Sequence, residues 1–166
     1  IISIGIDNVY LNQIFSSDKV DSKTVVNWTN NLMFGGAQSN VYNDYHYEMF
    51  ADNGMLSVYM KKNKQLDYFS HCKNSNLVLS SLSLDILSSD YIAREMFDAG
   101  DIKDYMIWGI GKLKDNMLIV KNNSLAGLVS FKKLKNGFEV LQQIGSKKII
   151  SDCLKKMSSK NFIDFE

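Results

Sequence analysis

Proline is absent from this sequence of 166 residues, and cysteine and histidine are scarce, with two residues of each. The absence of proline argues against proline-rich linkers and cis-proline turns, so we expect turns that are built on asparagine and glycine. Cys72 and Cys153 form no C-x-x-C pattern, which predicts two reduced thiols in a cytoplasmic protein. The two histidines are not spaced as zinc ligands, so we expect no metal site.

Long hydrophobic runs are also missing. No apolar run approaches the roughly 20 residues of a membrane-spanning helix, so we expect no membrane span. The first residues lack the basic segment and the long apolar segment of a signal peptide. Hydrophobic residues make up 45% of the sequence and charged residues 22%, which is ordinary for a globular protein. We therefore predict a single domain over residues 1–166.

The net charge of +1 hides an uneven distribution of charge along the chain. Residues 1–102 carry a net charge of −5, whereas residues 103–166 carry +6. A basic second part suits an acidic partner such as an acyl carrier protein, a nucleic acid or a phosphate-bearing cofactor, and it is equally typical of a solvated lysine-rich surface. Nucleic acid is the least expected partner, because the lysines show no regular interleaving with aromatic residues and no binding motif.

Local patterns predict the elements of the first half of the chain. In order, they are a strand at 1–6, a helix at 8–15 capped by Asp7, a helix from 21 or 22 to 34, and a hairpin with strands at 45–52 and 55–62. The hairpin uses Asn53-Gly54 as a two-residue turn, which places Phe50 opposite Ser57. A turn near 63–64 then predicts a third strand that brings Tyr68 opposite Tyr59.

The second half of the chain gives a similar mixture of elements. In order, they are a strand at 76–87, a helix from the cap Ser88-Ser89-Asp90 to 97, a strand at 105–108, a hairpin with strands at 128–134 and 138–144, and a helix after the N-cap Ser146. Residues 116–126 fit a strand or a helix. Together these elements predict an α+β fold with a mainly antiparallel central sheet and helices packed on it.

The segment from Trp108 to Lys112 combines the end of a buried strand, two glycines and a cation. Trp108, Gly109, Gly111 and Lys112 are therefore predicted to bind a cofactor, because the backbone N–H groups of such a turn can hold a phosphate. The alternative is a tight turn that leads out of a buried strand.

Several short segments resemble the toxin-activating lysine acyltransferases, which have a GNAT-like fold. They are 11–17, Ala37-Gln38, the Ala99-Gly100-Asp101 turn before the strand at 104–108, and 140–145. Members of this family transfer a fatty acyl group from acyl carrier protein to lysines of a toxin. The resemblance implies a peptide or protein toxin as substrate, acyl-ACP or acyl-CoA as donor, and no tightly bound cofactor. In the GNAT fold, a glycine-containing turn and the helix after it hold the cofactor pyrophosphate.

The sequence departs from this family at the catalytic positions. Residues 16–20 contain no counterpart of the family's catalytic histidine, and the family's aspartate falls at Ile107. Whether the protein is an enzyme stays open, and a catalytically degenerate acyltransferase fits as well. His46 is the candidate general base, because histidine titrates near neutral pH, and Ser17 is a candidate nucleophile. The alternatives are a histidine on the sheet surface and a hydroxyl at a helix end.

Two other classes of protein remain open. A small-molecule sensor of the PAS or GAF type would use a strand at 116–126 and a pocket of tyrosines, which would be Tyr42, Tyr45, Tyr47, Tyr59 and Tyr68. An immunity or other interaction protein needs no catalytic group. The sequence leaves the oligomeric state open.

Overall fold

The structure is a computed structural model, and it describes residues 2–15, 24, 28, 42–50, 54–97 and 101–159. Helices and a largely antiparallel set of strands are both present, which confirms the α+β class. The chain divides into two compact units, Ile1–Ser88 and Ser89–Glu166. The prediction of one domain stays a prediction.

The first unit is built around a buried strand. Its elements are β1 (Ile2–Ile4), a 3-10 turn (Ile6–Asn8), β2 (Tyr10–Phe15), β3 (Tyr42–Phe50), β4 (Gly54–Lys61), α1 (Lys62–Asn74), β5 (Leu82–Leu84) and the start of α2 (Asp85–Met96). β4 pairs with β2 on one side and β3 on the other, both antiparallel. β4 is buried from its first residue to the last but one, as expected of a central strand. β1 and β5 form a separate parallel pair.

The structure corrects the first of the two N-terminal helix predictions. The predicted helix at 8–15 is wrong, because Tyr10–Phe15 forms β2 and is hydrogen-bonded to β4 along its length. Pairing with a strand that begins 39 residues further along the chain overrides the local pattern. The predicted helix from 21 to 34 lies outside the described residues except for Thr24 and Trp28, which are both helical.

The hairpin prediction is right in kind and wrong in register. β3 and β4 are antiparallel, but Phe50 lies opposite Gly54 instead of Ser57, so Asn53-Gly54 is not the two-residue turn. The third strand of this meander is wrong, because Lys62–Asn74 forms α1. This segment has no β-branched residue and several good helix formers, which favours a helix wherever no strand partner competes.

The predicted strand at 76–87 is mostly wrong, since only Leu82–Leu84 is a strand and α2 begins at Asp85. The Ser88 hydroxyl does not cap the helix. It donates to Ser83 Oγ at 2.9 Å and accepts from Ser3 Oγ at 3.3 Å. These hydrogen bonds connect β1, β5 and α2 within the first unit.

The second unit is a four-stranded antiparallel meander with a helix on one face. After the rest of α2, its elements are β6 (Tyr105–Gly109), β7 (Asp115–Lys121), β8 (Ser124–Leu134), β9 (Gly137–Gly145) and α3 (Lys147–Ser159). The predicted strand at 105–108, the second hairpin and the last helix are confirmed. Residues 116–126 are strand on both sides of Asn122-Asn123, whose φ angles of 51° and 62° suit a tight hairpin turn.

The last helix supplies much of the core of the second unit. Ser146 Oγ accepts a hydrogen bond from Ile149 N at 3.4 Å, as an N-cap does. The apolar face of α3 lies on one face of the sheet and forms a buried cluster, which contains Met117, Ile119, Val129, Phe131, Ile150, Leu154 and Met157. Trp108 packs against this cluster, and it lies opposite Met117 in the β6–β7 register. The β6–β7 turn is thus held next to the core.

Candidate functional site

The turn between β6 and β7 is closed by one buried carboxylate. Asp115 is 4% exposed, although it is charged. Its Oδ2 accepts a hydrogen bond from Trp108 Nε1 at 2.8 Å, and its Oδ1 accepts one from Gly111 N at 3.1 Å. Lys133 Nζ, which comes from β8, lies 3.2 Å from Oδ2. A buried charge requires such partners, so this carboxylate ties the turn to two neighbouring strands.

Lys133 contacts Asp115 and Trp108 from the solvent side. Its side chain is 49% exposed, and its Nζ lies 4.6 Å from the centroid of the Trp108 ring. The Trp108 ring in turn lies 6.5 Å from that of Phe131, which meets Phe138 edge-on at 5.1 Å. The ammonium therefore covers an aromatic ring that is backed by the core, which is a favourable cation–π geometry.

The predicted cofactor-binding residues Trp108, Gly109, Gly111 and Lys112 lie in this turn. Gly111 is required sterically, because a Cβ at this position would collide with the Lys114 carbonyl oxygen. The N–H of Gly111 is donated to Asp115, and the turn leads into a strand instead of a helix. The glycine pattern therefore makes a closed hairpin loop. The cofactor-binding role of these four residues stays a prediction.

The predicted catalytic residues lie at the margin of what the structure describes. His46 belongs to β3, opposite Ser57, and its side chain is outside the described part. Ser17 lies outside the described residues. Both catalytic roles stay predictions. Of the tyrosines proposed for a sensor pocket, Tyr59 is fully buried in β4, whereas Tyr68 lies on α1 and not on a strand.

Lysines gather at the end of the sheet where Asp115 lies. We call this region, residues 110–114 and 132–137, the basic end. Its lysines are Lys112, Lys114, Lys132, Lys133 and Lys135. Burial, and secondly the charge of Lys132, lower the pKa of Lys114. The register places Glu139 opposite Lys132. Lysines outnumber the carboxylates here, so positive charge dominates.

Exposed apolar side chains alternate with these lysines. Ile110, Leu113 and Leu134 are 64%, 81% and 56% exposed. Trp108 is partly buried beneath Lys133. Sequence reasoning noticed the glycines, Trp108 and Lys112 but missed Asp115 and Lys133. The signal for Asp115 was its position four residues after Gly111, at the first residue of a strand.

A second buried carboxylate joins α2 to β6. Asp90 is 7% exposed, and it accepts hydrogen bonds from Tyr105 OH at 2.6 Å and from Arg94 Nε at 3.1 Å. The Arg94 guanidinium also lies 5.4 Å from the centroid of the Tyr105 ring. Burial of the phenol, and then its hydrogen bond to Asp90, raise the pKa of Tyr105 to about 12.

This raised pKa predicts a step in alkaline stability. The folded state holds the Tyr105 proton more tightly than the unfolded state, whose pKa is near 10.0. The stabilising contribution is therefore complete below pH 10 and is lost as the pH rises from about 10 to 12. A pH-jump absorbance titration of phenolate, taken as the difference between the wild type and Tyr105→Phe, should give a midpoint near 12. A midpoint near 10 would contradict the burial of this hydroxyl.

The thiol of Cys153 lies beside the core cluster. Burial raises its pKa, so it stays protonated near neutral pH. Among the residues that the structure describes, no group of three or more His, Cys, Asp or Glu is arranged to hold a metal ion. No described helix is both long and apolar enough to cross a membrane.

Comparisons with protein-family models, with curated proteins and with solved structures give no match for this chain. The resemblance to toxin-activating acyltransferases therefore stays a prediction, as does GNAT-likeness. Residues 115–121 and 124–134 are strands, which is the arrangement that the sensor alternative required of this segment.

Proposed function

We propose that this chain is a cytoplasmic interaction protein that binds an acidic protein partner through the basic end. The observation that carries this proposal is the alternation of lysines with exposed Ile110 and Leu113 on the β6–β7 turn and with exposed Leu134 at the end of β8. Asp115 lies at the same place but is buried and already paired. The charge offered to a partner is thus positive, and this function needs neither His46 nor Ser17.

The exposed apolar side chains favour a protein over a nucleic acid as the partner. Protein interfaces combine apolar contacts with complementary charges, whereas nucleic-acid binding relies on phosphate contacts and on aromatic residues for stacking. The exposed side chains of Ile110 and Leu113 make no favourable contact with a phosphate backbone. The Trp108 ring is already covered by Lys133, so it is not available for stacking. An acidic protein surface with apolar residues between its carboxylates matches the basic end best.

Charge reversal at the basic end tests this proposal. Lys112, Lys132 and Lys135 are exposed and are replaced together by glutamate. Tagged wild-type protein should recover an acidic protein from the native host at low salt, and the triple variant should not. Each reversed contact removes an attraction and adds a repulsion, so we expect recovery to fall by at least about tenfold.

The matched control reverses three exposed lysines elsewhere, namely Lys73, Lys103 and Lys121. It makes the same change in net charge and should keep the partner. Circular dichroism should show equal folding of both variants. Equal loss of the partner in both variants would mean that binding responds to net charge alone, and the basic end would have no special role.

Acyl transfer to a toxin is the second candidate, and the basic end favours it too, because an acyl carrier protein is an acidic donor. Intact-mass measurement distinguishes the two functions. A toxin that gains the mass of an acyl group, in the presence of acyl-ACP and this protein, would establish transfer beyond binding.

A further inference from the structure

An open groove of about 480 Å³ lies between α3 and β9 in the second unit. Its floor is apolar and includes Phe138, Val140 and Leu154, whereas Lys147 and Lys155 stand at its rim. The helix positions that line it, from 147 to 158, extend about 16 Å along the helix axis at 1.5 Å per residue. That length equals about five residues of an extended strand. The groove is therefore large enough for a short peptide segment.

Within the part of the chain that the structure describes, the strand beside the groove lies at the edge of the sheet. Among the described strands, β9 pairs with β8 and with no other strand. Val140 and Leu141 on β9 are 41% and 42% exposed. An edge strand offers unpaired N–H and C=O groups to any extended chain that reaches it. Next to β9, such a chain would lie beneath the side of α3 that carries Ser151 and Lys155.

The positive charge at the rim of the groove determines which peptide segment fits it. Lys147 and Lys155 are eight residues apart on α3, which is about 12 Å along the helix axis. Two residues four apart on a strand are separated by about 13 Å and point to the same face. Carboxylates at those two positions would reach both lysines, and the residue between them on that face would meet the apolar floor. The groove therefore selects the pattern acidic–x–apolar–x–acidic.

We propose that an extended segment with this pattern adds as a strand to β9 and fills the groove under α3. The segment belongs to the acidic protein partner, so this inference rests on the proposed function. Backbone hydrogen bonds to β9 would supply affinity, and the two lysines with the apolar floor would supply specificity, as in other cases of strand addition.

The probe is a fluorescein-labelled peptide with the sequence Thr-Glu-Thr-Val-Thr-Glu-Thr and blocked ends. Anisotropy should show binding at low salt, and amide hydrogen exchange should show protection along Gly137–Gly145. Exchanging both glutamates for glutamine, or making Lys147→Glu together with Lys155→Glu, should weaken binding by about tenfold. Ser151→Trp, which fills the groove, should abolish binding.

The matched control is Lys148→Glu together with Lys156→Glu. These lysines are exposed, lie on the same helix and do not line the groove, so affinity should change less than about threefold. Equal weakening by both pairs, or binding without protection of β9, would overturn the proposal. A dimer seen by light scattering that Ser151→Trp dissociates would assign the groove to a second copy and would also overturn it.

This experiment separates the groove from the basic end. If the peptide does not bind while the basic-end variant still loses the native partner, the groove inference fails alone. If the peptide binds as expected while the basic-end variant keeps its partner, the proposed function fails and the groove stands as a peptide site.

Discussion

Replacing Asp115 with alanine is expected to lower the free energy of unfolding by about 3 kcal/mol or more. The carboxylate is 4% exposed and accepts hydrogen bonds from Trp108 Nε1 and Gly111 N. A hydrogen bond to a charged group contributes about 1.5–3 kcal/mol, and two donors lose their acceptor at once. Chemical denaturation followed by tryptophan fluorescence measures the change.

Two further variants show how much each contact around Asp115 contributes to stability. Lys133→Met should cost about 1–2 kcal/mol, because Lys133 is half exposed and its ion pair is screened by solvent. Asp104→Ala is the matched control, since Asp104 is exposed and accepts a single backbone hydrogen bond, from Asn122 N at 2.8 Å. It should cost about 1 kcal/mol. An Asp115→Ala cost no larger than that of the control would contradict the role of Asp115 as the closure of the turn.

The part of the site that sequence could supply was the turn itself. Trp108, Gly109, Gly111 and Lys112 are contiguous, so a local pattern can identify them. The contact of Asp115 with Lys133, which is eighteen residues further along, forms across the β7–β8 pairing and has no local sequence signature. Glycine in a tight turn has the same sequence signature whether its N–H faces a phosphate or a carboxylate of the chain. Only the position of the hydrogen-bond acceptor distinguishes a turn that binds phosphate from a turn that is closed by a carboxylate of its own chain.

The same contrast explains which elements were predicted. β8, β9 and α3 follow local signals, namely the Asn136-Gly137 turn and the Ser146 cap, because their partners adjoin them in sequence. β2 depends on pairing with β4, far along the chain, and its own pattern suited a helix. α1 buries no residue, and a turn predicted near 63–64 that would bring Tyr68 opposite Tyr59 led to the prediction of a strand there. A local sequence pattern does not predict an element whose structure depends on a strand far along the chain.

A close approach of α3 to the sheet, at Gly127, gives the second large prediction. A Cβ at Gly127 would lie 2.7 Å from Ile150 Cγ1 and 3.0 Å from its Cδ1. Ile150 is 1% exposed and belongs to the core cluster, so Gly127→Ala should cost about 1–3 kcal/mol. Ile150→Ala alone should cost about 2–5 kcal/mol, since it leaves a cavity in the core cluster.

The double variant tests whether this contact is the cause. In the Ile150→Ala background, the new methyl group on residue 127 enters vacated space, so Gly127→Ala should cost little or even stabilise, with a coupling of about 1–2 kcal/mol. Thermal or chemical unfolding of the four proteins gives the double-mutant cycle.

Gly5→Ala is the control, because its Cβ would meet atoms at 3.8 Å and 3.9 Å and its φ is −64°. Removal of a glycine without a clash should leave stability unchanged or slightly raised. Additive costs at Gly127 and Ile150 would show that α3 does not contact the sheet at Gly127. The position of α3 that forms one wall of the groove beside β9 would then be wrong.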